Sequence, residues 1–184
     1  MNKLFTAFIL FSFSLFSCKN KQSEIQDIVS KSMLKEDRAE EVTIIYSEAA
    51  KVKFRLYADE LIRNEIAKPH YTDFKKGIRL EAFNDSLNIE SVLTAKFARY
   101  YEEKQNVLIR DNIIVVNKKG DRLSTEELVW NQQLQKFYTL KPVSIRTSTQ
   151  VIYGDGLEAN QDFSWYQITN IKGIVRVMKA SMPE

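Results

Sequence analysis

The residues able to do chemistry are few, and their spacing works against catalysis. The chain of 184 residues holds one histidine and a single cysteine. A metal site needs several His, Cys or carboxylate ligands converging on one ion, and nucleophilic catalysis needs a base within reach of the nucleophile. His70 follows Pro69 in a stretch that reads as a loop, with no evident partner. The acidic pairs Asp59-Glu60, Glu102-Glu103 and Glu126-Glu127 lie in or beside extended runs, where adjacent side chains point to opposite faces. They make solvated surface or a charged rim rather than a two-carboxylate site. Gly154-Asp155-Gly156 is followed by no Gly-Lys-Ser/Thr and opens no helix, so it is not a phosphate loop. Paired glycines in a strand mark a bulge or a close approach of backbones. These residues point away from an enzyme and call for no cofactor and no metal.

Cys18 carries a different chemistry. Asn2 and Lys3 form a weakly basic start, and Leu4 to Ser17 is apolar apart from scattered Ser and Thr. That run is shorter than the ~20 residues a membrane-spanning helix needs, and it suits a secretory leader. It ends in Leu15-Phe16-Ser17-Cys18, the order of a bacterial lipobox, with Phe16 bulkier than the usual occupant. The expected arrangement is a signal peptide over 1–17 and a lipidated Cys18 opening a polar tether over 18–41. A β domain over 42–178 and a tail over 179–184 follow. The alternative is an uncleaved anchor with an incidental thiol. One cysteine allows no internal disulfide. A net charge of +3 is too small to predict nucleic-acid binding.

From Val42 the hydrophobic period becomes two. Val52, Phe54 and Leu56 alternate with Lys51, Lys53 and Arg55, and Leu87 to Phe97 alternates over the same period. Ala95, Lys96, Ala98 and Glu102 favour a helix within 91–103, but the alternation before them favours strand. Two later segments repeat one pattern: Ile113 and Val115 recur as Val143 and Ile145, and Leu128 as Leu157, about 30 residues on. A weaker earlier copy contributes Ile78, Leu80 and Leu93. Such recurrence, two short strands per unit, predicts an all-β fold of repeated antiparallel hairpins.

The apolar phase of these strands collects Phe54, Leu56, Ile78, Leu80, Leu93, Phe97, Ile113, Val115, Leu128, Trp130, Val143, Ile145 and Leu157. They line either a dry core or an open groove fit for acyl chains; alternation does not decide between the two. The last extended run, Ile171 to Val177, holds Gly173, Ile174 and Val175, has no proline, and is followed only by a short tail. As a sheet edge it would accept a further strand from another chain.

These elements, in this order, resemble the LptC family of the lipopolysaccharide export machine, within the wider OstA/LptA-like group. The similarity runs through VTIIYSEAAKVKFRLYADEL, DFKKGIRLEAFND and SVLTAKFARYYEEKQNVLIRDNIIVV. It is sharpest from Gly120 to Gly173, with G-x-x-L-x-T-x-x-L-x-W ending at Trp130, then Lys136-Phe137-Tyr138-Thr139, then Gly154-Asp155-Gly156-Leu157. The resemblance implies a twisted, slightly open β-jellyroll whose apolar interior carries the acyl chains of lipopolysaccharide. It also implies an inner-membrane ABC transporter on one side, and a periplasmic LptA-like bridge protein received on the C-terminal edge. Family members commonly begin with a transmembrane helix, whereas this chain has a lipobox, so the expectation here is a periplasmic domain held to the membrane by a lipid anchor. The competing expectation is an adaptor lipoprotein that pairs edge strands without carrying lipid.

Overall fold

A computed structural model describes residues 36–176. Cys18, Val177, the leader and the tail lie outside the described residues. The described chain forms eleven strands and no helix: β1 (Glu36–Glu48), β2 (Lys51–Asn64), β3 (Tyr71–Phe83), β4 (Ile89–Ala95), β5 (Phe97–Tyr101), β6 (Asn106–Asn117), β7 (Arg122–Asn131), β8 (Lys136–Arg146), β9 (Gln150–Asn160), β10 (Tyr166–Ile168) and β11 (Ile171–Arg176). All pair antiparallel in one sheet ordered β1-β2-β3-β4-β6-β7-β8-β9-β10, with β5 beside β3 and β6, and β11 beside β9. The expected all-β jellyroll of consecutive hairpins is what the chain builds.

A line of irregularities crosses this sheet. The register shifts between Ala58 and Glu60 on β2, Arg110 and Ile113 on β6, Thr125 and Val129 on β7, and Thr139 and Pro142 on β8. Lys76, Asp111 and Asn112 have positive φ, as do Gly77 and Gly156. Lys96 parts β4 from β5 and bonds Gly77 and Asp111 through its backbone, at 3.1 and 3.0 Å. A bulge bends its strand and increases the local twist. A row of bulges at matching heights therefore folds one sheet into two facing layers with the bulges as spine. Side chains confirm the facing: Phe54, before the bulge of β2, lies 5.6 Å from Trp130 and 6.4 Å from Phe137, both on the other side of that line.

One departure from the expected layout comes from β1. The polar tether expected over 18–41 gives way earlier, because residues 36–41 are already strand. Glu36 to Glu40 pair with Asn64 to Glu60, and Arg38 reaches the buried Glu60 at 3.0 Å. The stretch is polar on both faces, so no hydrophobic period announced it. Gly154 shows the close backbone approach that its doublet suggested. A Cβ there would stand 2.4 Å from Ile168 Cγ2 and 2.7 Å from the Asn170 carbonyl oxygen.

Candidate functional site

The two layers part around residues of β1 to β8. There they leave a cleft of about 530 Å³, within the range of about 300–1,000 Å³ typical of ligand sites. One wall carries Ile44, Tyr46, Phe54, Leu56, Ile78 and Leu80; the other carries Leu61, Phe74, Ala98, Tyr100, Val107, Ile109, Trp130 and Phe137. Tyr46 and Phe54 stack at its inner end, and Trp130 meets both edge-on, 5.7 Å from Tyr46.

The opposite end is polar. Arg63, Thr72, Glu102 and Gln132 line it, and Arg63 Nη2 bonds Glu102 Oε1 at 3.1 Å. Burial pushes the Tyr100 phenol above its ordinary range, and the Glu102 carboxylate and Tyr46 push it further. It therefore stays a neutral donor at any physiological pH. The cleft thus has the polarity of an amphiphile: an apolar body with a hydrogen-bonding rim.

The residues expected to line a groove separate into three groups. Phe54, Leu56, Ile78 and Leu80 face the cleft, with Trp130. Leu93, Ile113, Val115, Leu128, Val143, Ile145 and Leu157 are instead packed in a closed core, none more than 3% exposed. Phe163 plugs that end, stacked on Phe137 at 4.7 Å. The void left beside Val115, Ile145 and Leu157 is about 20 Å³ and apolar, too small and too greasy for more than one water. The C-terminal half of the interior is dry; the N-terminal half is open.

Phe97 is the correction. It does not reach the interior: Ala95 and Ala98 are the buried neighbours, three residues apart, because the break at Lys96 shifts the alternation by one. Phe97 emerges on the outer face with Arg99, whose guanidinium lies 5.8 Å from its ring and 3.9 Å from that of Tyr71. The same shift brings Tyr100 inward, where the sequence reading had not placed it. Ile44, Tyr46, Leu61, Phe74, Val107, Ile109 and Phe137 were also missed. The available signal for Tyr100 was Ala98, a small apolar residue three positions after Ala95 that breaks the period of two.

His70 sits in the β2–β3 loop, where its ring Nδ1 meets Glu103 Oε1 at 2.7 Å. Among the described residues no group of three His, Cys, Asp or Glu side chains could hold a metal ion. At the C-terminal edge, β11 pairs only with β9, Ile174 opposite Ile152 and Val175 opposite Val151. Ile171, Ile174 and Val175 are each more than half exposed. The other free edge is β1, paired only with β2.

The described residues thus form one antiparallel sheet folded on itself around an apolar cleft. Residues 5–175 match the family model described as lipopolysaccharide-assembly, LptC-related. The chain belongs to the LptC family, and with it to the components of lipopolysaccharide export, which are periplasmic and envelope-associated. No curated protein matches the chain.

Proposed function

We propose that this protein accepts the acyl chains of lipopolysaccharide from an inner-membrane ABC transporter into the cleft between its layers, and passes them to a periplasmic bridge protein of LptA-like fold docked on β11. The observation that carries this reading is the cleft itself, apolar on both walls, open on one side and polar at one rim. Each methylene moved from water into such a site contributes about 0.8 kcal/mol, so two or three acyl chains need only part of their length inside to be held. The closed C-terminal core supplies the rigidity that keeps the layers apart.

The exposed, unblocked strand β11 supports the second half of the reading. An edge of unpaired N–H and C=O groups extends readily into a partner's sheet, and the interior of the next jellyroll would then continue this one. Cys18, acylated after cleavage of 1–17, would hold the domain at the membrane; one acyl chain binds only marginally and two or more bind stably.

Native mass spectrometry of protein extracted from membranes tests the three parts together. The expected spectrum shows a chain beginning at Cys18, a diacyl or triacyl mass increment, and a bound glycolipid. A chain that carries the anchor but never a lipid would favour an adaptor that only pairs strands. Normal processing of Cys18→Ser would remove the anchor from the account.

A further inference from the structure

The end of β1 ties the two walls of the cleft together. β1 is a free edge of the sheet, held by its ladder to β2, and its last residues reach the other layer. Gln135 Nε2, in the β7–β8 turn, donates to Glu48 Oε1 at 2.5 Å. Two residues earlier on β1, the Tyr46 ring meets Trp130 edge-on at 5.7 Å. Tyr46, Trp130 and Gln132 all line the cleft, so the two contacts join its walls at the inner end. Trp130 is only 8% exposed, and Tyr46 is part of what covers it.

Both contacts are of a kind that releases at little cost. The Glu48–Gln135 hydrogen bond is exposed, where water can replace either partner. The backbone around it is irregular as well. The β1–β2 register shifts between Tyr46 and Ser47, and the turn that follows places Ala49 and Ala50 at φ of 49° and 61°. A two-residue turn with φ positive at both positions favours Asn-Gly. Two alanines hold it under strain, and strained backbone gathers at segments that switch. The ladder from Glu36 to Tyr46 lies before the shift, so the last residues of β1 can swing without unzipping the strand.

We propose that Glu48 and Gln135 form a latch that decides how long an acyl chain the cleft accepts. Shut, it fixes the inner end at Tyr46 and Trp130. Open, it lets Tyr46 swing aside and uncovers more of the apolar wall on Trp130. Chains that end before Tyr46 enter with the latch shut, and longer ones need it released. The proposal rests on the carrier reading and adds to it a pair of residues that sets specificity.

The test uses the full-length protein in detergent and two fluorescent probes, an octanoyl chain and its hexadecanoyl counterpart. Glu48→Cys combined with Gln135→Cys, joined by a short bismaleimide, locks the latch; Glu48→Cys alone, treated alike, accounts for reaction at Cys18. Locked protein should bind the octanoyl probe like wild type. It should bind the hexadecanoyl probe at least about tenfold more weakly, since each methylene kept in water costs roughly fourfold in affinity. Glu48→Ala, which frees the latch, should take up the hexadecanoyl probe severalfold faster at an unchanged melting temperature. Equal affinity of locked and unlocked protein for the long probe, loss of both probes alike on locking, or an unchanged uptake rate for Glu48→Ala would overturn the latch and leave the cleft standing. Failure of wild type to bind either probe would overturn the carrier reading, and the latch with it.

Discussion

Single residues in this interior have one of two jobs, and burial tells them apart. Ile145 is 2% exposed within the closed core, so Ile145→Ala should cost about 2–5 kcal/mol of stability. Leu80 lines the cleft and is only half-buried. Leu80→Ala leaves no enclosed void, so it should cost about 1 kcal/mol or less, below the range for closed cores, while weakening lipid uptake. Chemical denaturation measures both; equal losses at the two positions would mean the cleft is as tightly packed as the core. Both residues obey the same alternation, which is why the sequence could list them together but not sort them. Alternation reports which face of a strand is apolar, and says nothing about how far away the opposite layer stands. Phe97 shows the other limit: a single break at Lys96 inverts every later side chain in that strand.

At the scale of elements, the turns and edges carry the polar balance. Lys51 and Lys53 hold the Asp85 carboxyl below its ordinary range through hydrogen bonds and charge, and tie the start of β2 to the β3–β4 turn. Lys118 does the same for Glu90, helped by Asn84. A carboxylate depressed in the folded state stabilises the fold above its unfolded pKa and loses that contribution as pH falls through the folded value. Melting temperature should therefore fall as pH drops below about 4, and Asp85→Asn should flatten that acid limb while changing little at pH 7. An unchanged slope would show that the turn contributes nothing. At the far edge, Val175→Pro removes one donor and fixes φ in a strand that is more than half exposed. The variant should melt close to wild type yet fail to pull down its bridge partner. Retained pull-down would move the docking edge to β1, and an unfolded variant would mean that β11 is needed for the sheet. The strand pattern and the repeat were legible because hairpins this regular impose a period of two. The early start of β1 was not, since its first residues are polar on both faces and are held by pairing with β2.

For the whole molecule, the decisive feature is a bulge line that turns one sheet into two layers, packed together at one end and parted at the other. The family resemblance pointed to an open jellyroll, and the repeat of about 30 residues pointed to its hairpins. Neither located the opening, because that depends on which side chains meet across the layers. Phe163 stacked on Phe137 closes the packed end, Tyr46 and Trp130 stand beside Phe137 where the cleft begins, and Arg63 and Glu102 mark its polar rim. The central claim, that lipid travels between these layers, is tested most directly by photo-crosslinking in cells at neighbouring positions of opposite phase. Leu80 and Tyr100 line the cleft, while their neighbours Arg79 and Tyr101 lie on the outer phase of the same strands. A photoreactive residue at Leu80 or Tyr100 should capture lipopolysaccharide, and one at Arg79 or Tyr101 should not. Equal capture at both phases, or capture at neither, would contradict the account.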